Sequence, residues 1–195
     1  SFGAGIDVLG TSTVTLANTD VHNNAGASGG GVYVGGTSTV NFSADSDIYD
    51  NTGSAGAGLI VYGTLVGSDS SSDIYGNDST SDGGGIYVDQ VDLDSGLTVD
   101  SSTFSADSTG QFGAALAIGT VIGEVTIVNS TLDEGSEDFA VTADLVTGEL
   151  SIMYSTMTGG IYVGTNEGLA EVTSTIVVQT GGVTILVDDA VNPVG

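Results

Sequence analysis

The chain contains no lysine, no arginine, no cysteine and no tryptophan, and only one proline and one histidine. Each absence excludes something. Without cations there is nothing to replace the counterions around phosphates, so nucleic acid is not an expected partner. An anionic membrane surface would repel the chain for the same reason. Chemistry that depends on a lysine Schiff base, an arginine clamp, a cysteine nucleophile or a P-loop lysine has no residue to perform it. Disulfides are impossible, so packing and hydrogen bonds must hold the fold. No apolar run approaches the roughly 20 residues a bilayer-spanning helix requires.

What is present is acid, glycine and clustered aliphatics. The 195 residues carry 25 Asp and Glu, a formal net charge of -25, 32 glycines and 39% apolar residues. A mean hydropathy of +0.28 sets the chain apart from acidic disordered segments, and a folded domain is expected. It starts at Ser1 with neither an initiator Met nor a signal sequence, as a processed, exported product would.

A repeat organises the whole chain. Clusters of small residues, each followed by an apolar residue, read Gly3-Ala4-Gly5-Ile6, Gly29-Gly30-Gly31-Val32, Gly56-Ala57-Gly58-Leu59, Gly83-Gly84-Gly85-Ile86 and Gly113-Ala114-Ala115-Leu116. Their apolar anchors are spaced by 26, 27, 27 and 30 residues. A second series, Val21, Ile48, Ile74, Phe104, Leu132, Met157 and Ile176, is spaced by 27, 26, 30, 28, 25 and 19. Two independent markers share one period until the coils shorten near the end. Within a unit, runs such as Val32-Tyr33-Val34, Thr39-Val40-Asn41-Phe42 and Asp47-Ile48-Tyr49 alternate apolar and polar residues, the pattern of strands with one buried face. No stretch has helical apolar spacing.

The expected fold is therefore all-β: a right-handed parallel β-helix of about seven coils of about 27 residues, three short strands per coil, in a single domain over residues 1–195. Residues 1–120 hold the regular repeats and 121–195 the shorter, divergent coils. Coils stacked at about 4.8 Å give a rod roughly 35 Å long. Three inward ladders are expected. One is Ile6, Val32, Leu59, Ile86 and Leu116; another is Val14, Val40, Leu97, Val125 and Leu150; the third is the Val21 to Ile176 series.

Before the glycine clusters stand Val21-His22-Asn23-Asn24, Ile48-Tyr49-Asp50-Asn51 and Ile74-Tyr75-Gly76-Asn77, with Phe104-Ser105-Ala106-Asp107 as a fourth copy carrying Asp for Asn. This pairing resembles the GGA[IVL] and FxxN repeats of polymorphic outer-membrane proteins and related autotransporter passenger domains. The resemblance covers roughly residues 1–120. It implies a secreted or surface-anchored right-handed β-helix, commonly an adhesin. On physical grounds the in-phase Asn24, Asn51 and Asn77 are expected to stack as an amide ladder.

Acidic residues gather in the turns, among them Asp45, Asp47 and Asp50, and Asp89, Asp92 and Asp94. Stacking could offer Ca²⁺ the oxygen ligands it prefers, although no EF-hand or calcium β-roll motif occurs; the alternative is a solvated anionic surface that keeps the rod soluble. No cofactor is required by either reading. Paired carboxylates also hydrolyse glycosides, but short turns and the missing cations argue against an enzyme. Threonine pieces such as Thr11-Ser12-Thr13-Val14-Thr15 resemble ice-binding arrays, yet later coils do not keep the motif. His22, the only imidazole, has no paired nucleophile and is expected to face outward from its turn. The seven tyrosines recur partly in phase, with packing the default role. Sequons occur at Asn41, Asn77 and Asn129.

Neither end carries an evident cap. Phe2, Ile6 and Val8 lie in the first strand unit, and Val183, Ile185 and Val187 in the last. Two compatible edges favour propagation. The expected role is an extracellular structural protein, a filament or surface-scaffold subunit whose partner is itself, head to tail. The alternative is a passenger fragment that adheres to host or matrix glycans; divalent cations are further candidate partners of the acidic surface.

Overall fold

The structure, a computed structural model, describes residues 5–42, 46–63, 67–70, 72–93, 96–105, 107–110, 113–133, 139–178 and 185–187. Among these residues every strand pairing is parallel and no helix occurs, so the chain is a parallel β-solenoid.

Three sheets run along the rod. The first has eight strands, stacked in the order Ile6–Val8, Val32–Gly36, Leu59–Gly63, Ile86–Val91, Leu116–Val121, Phe139–Val146, Gly160–Asn166 and Ile185–Val187. The second begins as a pair, Thr13–Leu16 with Thr39–Phe42, and resumes as five strands from Gly67–Ser70 to Leu169–Thr173. The third has seven, from Val21–His22 to Ile176–Val178. A short pair, Thr52–Gly53 with Asp78–Ser79, lies between the third and first sheets.

The register follows the inward ladders. Ile6, Val32, Leu59, Ile86 and Leu116 are successive partners, and the ladder continues through Val141, Ile161 and Ile185. Val14 pairs with Val40, and Leu97, Val125 and Leu150 follow one another. The partner before Leu97 is Gly67, which brings no side chain to the core, and the second sheet is interrupted on that side. In the third sheet Val21, Ile48, Ile74, Phe104, Leu132 and Met157 align as expected. The last rung differs: Met157 pairs with Val177, while Ile176 is opposite Thr156. From Val8 to Val163, nearly all the inward side chains are buried in one continuous core with Phe104 the largest. Each aliphatic withdrawn from water contributes roughly 1.5–3 kcal/mol.

Candidate functional site

Two bends recur along the rod, and in successive coils each places polar side chains inside it. At the bend after the third sheet, Asn23, Asp50 and Gly76 adopt positive φ of 55°, 53° and 64°. Asn, Asp and Gly take this left-handed conformation at least cost. Each reverses the chain so that the next residue, Asn24, Asn51 or Asn77, points inward. The Oδ1 of Asn51 accepts from the backbone N–H and the Nδ2 of Asn24, both at 3.0 Å. The Oδ1 of Asn77 accepts from the same two groups of Asn51, at 3.1 and 3.0 Å. Nδ2 of Asn51 also donates to the Val21 carbonyl at 2.9 Å, and Nδ2 of Asn77 to that of Ile48 at 3.0 Å. Asn51 and Asn77 are fully buried. The expected amide ladder is present.

The geometry also explains why the glycine clusters accompany it. A Cβ on Gly31 would meet the Gly58 carbonyl oxygen at 2.6 Å and Asn51 Nδ2 at 3.1 Å; one on Gly58 would meet the Gly85 carbonyl at 2.5 Å and Asn77 Nδ2 at 3.1 Å. Only glycine lets the neighbouring coil close over the amides. Gly85 stands in the same relation to Asp107, where a Cβ would meet the Ala115 carbonyl at 2.7 Å and Oδ2 at 2.9 Å, and the equivalent residue in the cluster after it is Ala115.

The last member of the ladder is Asp107. Its Oδ1 accepts from the backbone N–H and Nδ2 of Asn77, each at 2.9 Å, but its Oδ2 is buried without a hydrogen-bond partner. Burial pushes the carboxyl well above the usual carboxylate range; the bonds from Asn77 pull the other way, and Asp133 on the next coil raises it further.

The bend before the third sheet carries a second ladder that the sequence reading missed. Two residues ahead of each inward apolar residue stands Thr19, Ser46, Ser72, Ser102, Ser130, Ser155 or Thr175. Ser46 accepts from the N–H of Thr19 at 3.3 Å, Ser130 from Ser102 at 3.3 Å, Ser155 from Ser130 at 3.2 Å and Thr175 from Ser155 at 3.5 Å. Hydroxyls of Ser102, Ser130, Ser155 and Thr175 donate in turn to the carbonyl two residues back. Ser101, Asn129, Tyr154 and Ser174, just before them, all have positive φ near 50°. This ladder sets the last rung: Thr175 is its member, and two residues on is Val177, not Ile176. Ser130→Ala would strand the Ser102 N–H and should cost about 1–2 kcal/mol, read as a fall in the urea midpoint at unchanged slope. A neutral result would show that the hydroxyls fill space without bonding.

Outside the wall, His22, Tyr49 and Tyr75 form a column. His22 and Tyr49 stack at 4.7 Å with 3° between planes, and Tyr49 and Tyr75 at 4.8 Å and 1°. His22 is exposed, and its Nδ1 accepts from Asn23 Nδ2 at 2.7 Å. The ring faces are spent on one another, which suits packing along the rod.

The acidic residues are not brought together as a chelate. Asp45 and Asp94 lie outside the described residues. Asp47 accepts from the Asp73 N–H at 3.2 Å, Asp50 and Asp89 are exposed, and Asp92 accepts from the Gln90 side-chain amide. Among the described residues no three His, Asp or Glu side chains converge to hold a metal ion. Of the sequons, Asn129 is exposed, Asn41 half-buried and Asn77 fully buried in the ladder, so a glycan on Asn77 is incompatible with the folded rod.

In the first described strand, Val8 is buried in the core and Ile6 packs against it half-buried. Ile185 and Val187 lie in the last described strand, partnering Ile161 and Val163. Phe2 and Val183 fall outside the described residues. No protein-family model, curated protein or solved structure matches the chain.

Proposed function

We propose that the chain is a structural, non-enzymatic β-solenoid of the extracellular space, a scaffold segment that stacks head to tail on further copies of itself. The observation that carries this reading is the unbroken parallel pairing of the first sheet, from Ile6–Val8 to Ile185–Val187. A parallel stack has two unlike edges, each complementary to the other, so a contact between them is heterologous and propagates. The charge supports the same geometry: like charge on the walls opposes side-by-side bundling and leaves growth along the axis. A chain without lysine or arginine also offers no site to trypsin-like proteases, which suits a durable extracellular scaffold. The interlock of glycine cluster and amide ladder supports kinship with the passenger-type repeats that the motif pair resembles.

Negative-stain imaging and sedimentation of the purified chain test the reading. The expected result is particles whose lengths are multiples of one rod, roughly 35 Å. Ile6→Asp and Ile185→Asp, separately and together, should leave single folded rods, because a carboxylate at an edge must be desolvated when coils join. Uniform single rods of the unmodified chain would overturn the proposal, as would filaments that survive both substitutions.

A further inference from the structure

The outer wall of the first sheet is interrupted at one place. In register, its outward row runs Tyr33, Ile60, Tyr87, Ala117, Thr142 and Tyr162. Tyr62, from the adjoining row, packs between Tyr33 and Tyr87 with ring centroids 5.9 Å from each, and Tyr162 packs on Phe139 at 5.6 Å. Between Tyr87 and Tyr162, two rungs carry only Ala117 and Thr142. Beside Ala117 is Gly119, where a Cβ would stand 2.5 Å from the Asp89 carbonyl oxygen. The missing side chains open a cavity of about 190 Å³, bordered by Tyr87 on one side, Thr142 and Asp144 on the other, and Asp82 at the lip. Among the described residues Tyr87 has an aromatic neighbour only on the Tyr62 side.

Polar groups from several coils line this notch. Thr142 is 3% exposed and lines the cavity. Burial, and then the field of Asp82, raise the Asp144 carboxyl. Burial, Asp89, Tyr62, Asp82 and Asp144 together push the Tyr87 phenol up to about 12, so it stays a hydrogen-bond donor at any physiological pH. The cavity therefore presents two hydroxyls, two carboxylates and an aromatic ring beside the small residues Ala117 and Gly119. Few ligands use all of these. A pyranose does: its C–H face lies on an aromatic ring, and its hydroxyls donate to carboxylates while accepting from Tyr and Thr. A uronic acid would be repelled by the carboxylates, and among the described residues no third His, Asp or Glu joins Asp82 and Asp144 to hold a metal ion.

We propose that this notch is a binding subsite for one neutral pyranose unit of a glycan, with Tyr87 as platform, Asp82 and Asp144 as acceptors and the Thr142 hydroxyl as a buried contact. The subsite is independent of head-to-tail stacking, because it lies on the wall of the rod and not on an edge.

The test is a saturation-transfer NMR and calorimetric titration of the whole chain. The probes are the methyl glycosides of glucose, galactose, mannose and N-acetylglucosamine, with methyl glucuronide, tetramethylammonium and Ca²⁺ alongside. At least one neutral glycoside should bind saturably in the millimolar range expected of a single sugar ring. The glucuronide should not bind. Ala117→Tyr, which fills the notch with the residue found one rung away, should weaken binding at least about tenfold, and so should Tyr87→Leu. Thr142→Val keeps the shape, removes only the hydroxyl and should weaken binding severalfold. Thermal melts of each variant confirm that the rod remains folded. The proposal fails if no neutral glycoside binds, if binding survives in folded Ala117→Tyr, or if only tetramethylammonium or Ca²⁺ saturates the site.

Discussion

Replacing Asn51 with Ala should destabilise the rod by about 3 kcal/mol, among the largest losses expected from a single polar side chain in it. Asn51 sits at the middle of the amide ladder with no exposed surface. Its Oδ1 takes two N–H groups of Asn24, and its Nδ2 meets the Val21 carbonyl and Asn77 Oδ1. Truncation leaves the Asn24 N–H unpaired in the core, at about 1–3 kcal/mol, removes the amide's own bonds to the Val21 carbonyl and Asn77 Oδ1, and cuts the chain of amides that polarise one another. Water cannot repair the loss easily, because Gly31 and Gly58 bring the neighbouring backbone directly onto the amides. Asn24→Ala is the internal comparison. Asn24 is only half-buried and stands at the first coil, where its truncation should cost about 1 kcal/mol. Urea denaturation followed by far-ultraviolet circular dichroism reads both. Because coils of a solenoid can unfold in groups, the comparison rests on midpoints and on single-transition behaviour. Equal losses at Asn24 and Asn51 would show that the ladder is not cooperative.

The parts of the fold that repeat in phase were legible in the sequence, and those that depend on sideways neighbours were not. The first ladder from Ile6 to Leu116 aligns residue for residue because glycine clusters and branched aliphatics are both uncommon enough to mark a period. The same applies to Asn24, Asn51 and Asn77. The hydroxyl ladder was equally periodic yet went unseen, since Ser and Thr also fill every turn and face of the chain, and Ser46 or Ser130 has no local feature to single it out. Missing it led to the one error of register, Ile176 for Val177: the apolar triplet Ile176–Val178 offers three equivalent candidates, and only the bond from the Ser155 N–H to Thr175 chooses among them. The notch was beyond sequence reading for a different reason. It consists of side chains that are absent, at Ala117 and Gly119, framed by Tyr87, Thr142 and Asp144 from other coils. The sequence did single out Asp107 as an Asp where Asn was due, but not what that substitution does.

Asp107→Asn should stabilise the rod, by an amount that grows with pH. In Asn51 and Asn77 the Nδ2 group reaches back to the carbonyl of Val21 or Ile48. The next carbonyl in that series belongs to Ile74, and the atom of Asp107 in place of the amide nitrogen is Oδ2, which has no partner. A carboxylate has no proton to donate there, whereas a carboxylic acid has one. The folded state therefore holds the proton more tightly than the unfolded chain does, and the field of Asp133 strengthens that preference. Asp78, on the preceding coil, is occupied by the Ser108 hydroxyl at 2.7 Å. With the folded value raised, the contribution of Asp107 is fully present below the ordinary carboxylate range and is lost as pH climbs through its folded value. Relief of general carboxylate repulsion in acid runs in the same direction, so the unmodified chain alone cannot separate the two. The difference between Asp107→Asn and the unmodified chain can. That difference should be small near pH 4, where both side chains can donate, and should widen with rising pH until Asp107 ionises in the folded rod. At neutral pH the variant should be more stable by about 1 kcal/mol or more, the worth of a restored buried hydrogen bond. Melting temperatures across the pH range measure it, and an infrared carboxylic-acid band lost in Asp107→Asn would locate the proton directly. A stability difference that does not vary with pH would mean that Oδ2 is ionised throughout and satisfied by water.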